Sequence, residues 1–314
     1  MLSLSRGKNI AQFKEGKLKG KFVKLFGSDD FSKDTLPDIT IPRKEYSELI
    51  DKQFYKETPI PLNKRTLFKM LLNEERKIDD TISDEMKEYV DDGVKYVENK
   101  LKTEILFEDK TTKLFPLPQK FSERIYVPAP SGSGKSTFIG MYLDELKKAF
   151  PNKKRKLFVF SRVEKDPPLD KHKPIRIPLE ESFFDKNPLV IKDFENSIII
   201  FDDIDTILNK KVVKYVRNFR DDILETGRHY NISILSTSHL IANFLATRTL
   251  INEANSIVLF PRGSSFAAVA NFLERYLGFT RHQIRMVENL PTRWIWFWKE
   301  YPKYAIHEKG AFIY

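Results

Sequence analysis

Residues 125–143, IYVPAPSGSGKSTFIGMYL, constrain the fold more tightly than any other part of this 314-residue chain. The apolar run Ile125, Tyr126, Val127 predicts a strand. Two prolines and the glycines Gly132 and Gly134 predict a loop, and Ile139, Leu143, Leu146 and Phe150 recur at helical spacing. Within this strand–loop–helix unit, Ala129, Pro130, Ser131, Gly132, Ser133, Gly134, Lys135 and Ser136 fit the Walker A pattern with Ala in place of its first Gly, and Thr137 follows. A triphosphate is best held by backbone N–H groups converging from a tight loop and by the positive end of the next helix, and glycines let the backbone come that close. Lys135 then supplies a point charge for the β- and γ-phosphates of ATP, and the Ser136 hydroxyl a ligand for Mg²⁺. The alternative is a Gly-Ser surface loop that meets the pattern by chance.

The second half of such a site is predicted at residues 197–201, SIIIF, which run into Asp202, Asp203 and Asp205. A buried parallel strand ending in an acid is the Walker B arrangement. Asp202 is the expected Mg²⁺ residue, and Asp203 the carboxylate that polarises the attacking water. Asp205 is expected to cap the following helix, whose apolar face is Val212, Val216, Phe219 and Ile223 and which ends at Gly227. Arg228 and His229 come next, then a strand over 232–235 that ends in Ser236, Thr237, Ser238 and His239. A polar residue there would lie between the two Walker strands and sense the γ-phosphate or the water. Ordinary N-capping is the competing role for Ser and Thr, and a structural role the expected one for the lone His239.

Two further strands are expected between the motifs, at 157–162 and 175–179, and a fifth at 256–260, followed by a helix over 265–277. Near the C-terminus Trp294, Trp296 and Trp298 alternate, which puts all three on one face, either as core or as a base-stacking platform. Upstream, 28–65 reads as extended segments with a short helix at 45–53, residues 63–106 as two helices, and 111–118 as an edge strand. A division follows, with 1–110 as a mostly helical and irregular extension and 111–314 as the ATPase domain.

Charge and composition narrow the partners. The 54 Lys+Arg against 44 Asp+Glu leave a net charge of +10, which favours an anionic partner. Arg6, Lys8, Lys14, Lys17, Lys19, Lys21 and Lys24 crowd the first 25 residues against Glu15 alone, as a solvated tail or as an arm for DNA or an acidic protein surface. The basic run Lys147, Lys148 and Lys153–Lys156 reads as a solvated helix end or a DNA contact. With no cysteine, disulfides and Cys-based metal sites are excluded. No apolar run approaches the ~18 to 20 residues of a membrane span, so a soluble protein is expected.

Walker A, Walker B with an extra strand between, and the run GRHYNISILSTSH (residues 227–239) together resemble the FtsK-HerA superfamily of P-loop ATPases. Within it the chain is similar to the poxvirus-type genome-packaging ATPases of nucleocytoplasmic large DNA viruses, virophages and polinton-like viruses, over residues 120–310. The resemblance implies an α/β fold, a RecA-like core of the additional-strand class with a mainly parallel sheet flanked by helices. It also implies a homo-oligomeric ring that hydrolyses ATP with Mg²⁺ to pull double-stranded DNA into a preformed capsid. Its partners would be DNA and capsid or portal-vertex proteins, and its place the host cytoplasm or the virion. By position it makes Lys135 and Ser136 phosphate and Mg²⁺ residues, Asp202 the Mg²⁺ carboxylate and Asp203 the catalytic one. Gly227 and Arg228 match a Gly-Arg pair of the bacterial translocases, but Ser238 stands where they commonly have Gln, which leaves the sensor role between Thr237 and Ser238. Arg228 near the edge of the nucleotide site is a candidate arginine finger for a neighbouring subunit, in competition with local pairing to Glu225 and with Arg248 and Arg262. The alternatives are a hexameric helicase, another remodelling ATPase, or a nucleotide-dependent structural protein of a capsid.

Overall fold

A computed structural model describes residues 1–26, 43–107, 111–152, 154–241 and 244–314, without the side chains of 244–246. Residues 28–42 of the expected extended stretch and Lys153 of the basic run lie outside the described residues. In chain order the strands are β1 (Leu2–Ser3), β2 (Lys8–Glu15), β3 (Phe22–Leu25), β4 (Glu104–Leu106), β5 (Lys113–Pro116), β6 (Arg124–Pro128) and β7 (Lys156–Ser161). They continue with β8 (Ile175–Arg176), β9 (Ser197–Asp202), β10 (Ser233–Ser238), β11 (Ser256–Leu259), β12 (Ile295–Trp298), β13 (Tyr304–His307) and β14 (Gly310–Ile313). The helices are α1 (Tyr46–Leu49), α2 (Phe54–Glu57), α3 (Arg65–Leu72), α4 (Asp84–Thr103), α5 (Lys135–Ala149) and α6 (Pro167–Asp170). After them come α7 (Glu181–Lys186), α8 (Lys210–Thr226), α9 (Phe244–Glu253), α10 (Phe266–Phe272) and α11 (Arg281–Asn289).

Ten strands form one sheet in the order β4-β14-β13-β12-β11-β6-β10-β9-β7-β8. From β8 to β11 every pairing is parallel, and β12, β13, β14 and β4 add on antiparallel. The strand after Walker B, β10, therefore lies between the Walker A strand β6 and the Walker B strand β9, as the motif order predicts. Strands buried on both faces must be apolar throughout. Along β9, Ile199 and Phe201 pack into one core with α8, while Ile198 and Ile200 pack into the other with α5. The expected strand at 175–179 shortens to β8, since Pro178 has no N–H to give a ladder. The alternating Trp294, Trp296 and Trp298 are all buried, 6%, 0% and 5% exposed, so they are core and not a platform for bases.

The first 25 residues are not a tail. β1, β3, β2 and β5 form a four-stranded antiparallel sheet in that order, and Leu2, Ile10, Ala11, Phe13 and Val23 are buried in the same core as α5 and the tryptophans. Lys14 reaches over to α5 and pairs with the buried Glu145 at 2.8 Å. Burial of this apolar surface outweighs solvation of the cations, of which Arg6, Lys8, Lys17, Lys19 and Lys21 stay exposed. The expected helix at 45–53 is instead a 3-10 turn with α1, then α2. The two helices expected over 63–106 are α3 and α4, which enclose a smaller core with Phe54, Phe68, Leu72 and Met86. Ser83 caps α4 by accepting from Met86 N–H. Strand pairing crosses the expected division at residue 110: β4 adds to β14, and β5 adds to β2.

Candidate nucleotide site

The loop after β6 begins at Ala129, whose N–H donates to the Ser238 carbonyl on β10. Gly132 and Gly134 have φ of +77° and +98°, a region open to glycine at little cost, and Gly134 turns the chain into α5. Ser131, Gly132 and Thr137 are exposed and Ser133, Gly134 and Ser136 half-buried, whereas Lys135 is buried. The loop after β11 comes close to it, since a Cβ on Gly263 would meet Ser133 Oγ at 2.7 Å.

Lys135 is folded back into this loop. Its Nζ donates to the Ala129 carbonyl at 2.7 Å and lies 3.2 Å from Asp203 Oδ2. Asp202, only 7% exposed, accepts from Ser161 of β7 at 2.8 Å and from Thr237 of β10 at 3.0 Å. Burial raises its carboxyl above the ordinary range and the Ser161 bond pulls it back; the charge of Asp203 raises it again and the Thr237 bond lowers it.

Asp203 follows the strand in the left-handed region, with φ of +43°. Such a conformation costs a non-glycine residue about 1–3 kcal/mol and persists only where neighbours enforce it. Here the Asp203 N–H donates to Thr237 Oγ1 at 2.8 Å, Thr206 N–H and Oγ1 both donate to the Asp203 carbonyl, and Thr237 Oγ1 is 2.9 Å from Asp203 Oδ1. Thr237 has one proton and two carboxylates within reach, so it bridges Asp202 and Asp203 while accepting from the backbone. Ser238 is engaged elsewhere, 2.7 Å from the Tyr126 hydroxyl and donating to the Leu240 carbonyl.

His239, expected to be structural, places Nε2 3.2 Å from Asp203 Oδ2, the oxygen Lys135 also approaches. Asp205 is not a helix cap: it lies in a 3-10 turn and pairs with Arg217 at 2.7 Å, and Asn209 caps α8 by accepting from Lys211 and Val212. Arg228 is not at the edge of this site either. It is exposed in the turn Gly227–Tyr230 that leads into the far end of β10. Arg262, also exposed, is in the loop that touches Ser133, and exposed Arg248 is midway along α9.

The oxygen donors fit Mg²⁺. Among the described residues no three His, Cys, Asp or Glu side chains gather into a metal site. Mg²⁺ bound with a nucleotide keeps its waters and uses substrate phosphates with one or two protein oxygens. Asp202 and the Ser136 hydroxyl supply ligands of that kind.

A glycine loop after β6, paired carboxylates at the end of β9, and β10 with its polar end between those two strands define a P-loop NTPase fold of the additional-strand class. No protein-family model matches the chain. It is 39% identical over 215 residues to the uncharacterized protein V3 of Sputnik virophage, a match covering 68% of this chain and 85% of V3. The chain belongs to the family of that virophage protein. Among solved structures it is similar to the genome packaging NTPase B204 of Sulfolobus turreted icosahedral virus 2 in complex with AMPPCP, with a TM-score of 0.42 and 13% identity, over 60% of this chain and 98% of that one. It is also similar to the pCW3 conjugation coupling protein TcpA with ATPγS, with a TM-score of 0.42 and 12% identity, over 66% and 65% of the two chains. The strand order defines the fold independently of these two.

Proposed function

We propose that this chain binds ATP with Mg²⁺ at the β6–α5 loop, hydrolyses it, and couples turnover to moving double-stranded DNA into a viral capsid. One observation carries the hydrolytic part: Asp202, Asp203 and Thr237 converge with Lys135, so that a phosphate-binding cation, a metal carboxylate and a base share one corner. The DNA and capsid part rests on the packaging-ATPase resemblance and on a relative from a virophage.

The first step is an exchange of partners. Lys135 leaves Asp203 and the Ala129 carbonyl for the β- and γ-phosphates, while the loop N–H groups hold the phosphate oxygens. Bound Mg²⁺ would neutralise developing phosphate charge. Asp203, freed of the lysine, then orients a water whose oxygen attacks the γ-phosphorus; the bond to ADP breaks, and the water's proton passes to the Asp203 carboxylate. Thr237 holds Asp202 and Asp203 in register and is the better placed of the two sensor candidates. In a ring, an arginine of the next subunit completes the site.

The test is ATP hydrolysis by the purified chain, alone and with duplex or single-stranded DNA. Stimulation by duplex is expected. Hydrolysis stimulated by single strands and not by duplex would favour the helicase alternative, and absence of turnover would remove the enzymatic reading.

A further inference from the structure

Away from the nucleotide loop, a cleft of about 520 Å³ opens between α2, with the segment before it, and the helix α11. Lys52 and Lys56 stand on one wall, Arg281 and Arg285 on the other, and all four are exposed. Arg281 and Arg285 are four residues apart on α11, hence on one face and about 6 Å apart along the axis. None of the four forms an ion pair with a carboxylate among the described residues. The acid in the lining, Asp51, is turned to α4, where it takes Lys100 at 3.0 Å and the Tyr96 hydroxyl at 2.9 Å. Gln53 and Asn289 add neutral amides. Four like charges facing across one cleft repel each other, and an anion that bridges the walls relieves that repulsion.

We infer that this cleft is a contact site for the phosphodiester backbone of duplex DNA. The inference rests on the proposed DNA-motor function and assigns a place to its track. Lysines, arginines and amides meet phosphates without reading base edges, which suits a machine that must pass every sequence. A second cleft, lined by Lys147, Lys154, Lys156 and Lys173, gathers as many cations at a different place on the molecule. That cleft serves as the control.

The experiment measures binding of a fluorescent mixed-sequence duplex by the full chain as salt rises from about 50 to 200 mM. Each phosphate contact contributes about 0.9 to the slope of log K against log salt, so the variant K52A/K56A/R281A/R285A should flatten the slope by about 3 to 4. The variant K147A/K154A/K156A/K173A, with the same loss of charge, should keep it near the wild-type value. Nucleotide affinity, measured on all three, reports an intact fold. The inference is overturned if the first variant keeps the wild-type slope, or if both variants flatten it equally, which would be an effect of net charge. Wild-type chain that binds no duplex at all would overturn the DNA-motor reading along with it. Duplex binding with an unchanged slope in the first variant removes the cleft alone.

Discussion

Asp203→Asn should bind nucleotide more tightly than the wild type while losing turnover. Lys135 Nζ lies 3.2 Å from Asp203 Oδ2, with side chains 7% and 20% exposed, and must give up this partner to reach a phosphate. At an effective dielectric of about 20 the pair is worth about 5 kcal/mol of Coulomb energy. Most of this is regained when the carboxylate meets water and the ammonium meets phosphate. A residue of about 1–1.5 kcal/mol remains as the cost of releasing the lysine, which the Asn variant does not bear, so its affinity rises about tenfold. Asn tolerates the left-handed backbone that Asp203 adopts, so the fold survives. Hydrolysis should fall by about 10² to 10⁴, the usual contribution of a general base. Calorimetric titration with a non-hydrolysable ATP analogue and a steady-state phosphate-release assay give the two numbers. Unchanged or weaker binding would show that the Lys135–Asp203 contact does not oppose nucleotide entry. Normal turnover would remove Asp203 from the reaction.

Lys135→Ala, by contrast, should abolish nucleotide binding, read in the same titration; retained affinity would take Lys135 out of the phosphate site. His239→Ala should lower turnover about 10- to 100-fold, the worth of one hydrogen bond to a charged group, with nucleotide affinity little changed, and His239→Gln should restore part of it; equal turnover in all three proteins would leave His239 a structural residue. Phe13→Ala should destabilise the whole protein by about 3–5 kcal/mol in a denaturant titration, because the side chain is 1% exposed; a loss below about 1 kcal/mol would mean the N-terminal strands are not part of the core. His307 is buried and its pKa is depressed to about 3. The folded state thus refuses a proton that the unfolded state accepts below about pH 6.5, and stability falls as pH falls from there toward 3. Between pH 7 and 4.5 this amounts to about 3 kcal/mol, which His307→Phe should recover in unfolding titrations at the two pH values; equal acid sensitivity in both proteins would contradict it.

The parts of the candidate site that were legible in the sequence are those that one backbone conformation and one charge define. Gly132, Gly134 and Lys135 are such a set, and so is a carboxylate at the end of an apolar strand. The N-terminal sheet was hidden because β2 is irregular. Its register shifts between Asn9 and Ala11 and again between Phe13 and Glu15, so Ile10 and Ala11 are buried in succession and the alternation that marks a strand is lost. Seven cations around it then read as a solvated tail or a binding arm. His239 was obscured differently. Its partner is 36 residues earlier in the chain (239 − 203), and Asp203 meets it from a left-handed turn at the end of β9.

The position of Arg228 constrains how rings of this chain could work. β10 has six residues, about 20 Å at ~3.3 Å each, with Thr237 near one end and Arg228 in the turn before the other. An arginine at that distance cannot serve its own nucleotide. It can serve a neighbour's only if adjacent subunits pack with the β10 entry of one against the phosphate loop of the next, an offset of about a strand length. Arg262, in the loop against Ser133, needs no such offset, and a ring packed flat would favour it. Mixing decides between the geometries. Arg228→Ala and Lys135→Ala subunits, each inactive alone, should regain hydrolysis in mixed rings if the offset arrangement holds, because a site with intact Lys135 can then face an intact Arg228. Full activity of the Arg228 variant by itself, with loss in Arg262→Ala, would instead place the finger beside the loop and require the flat ring.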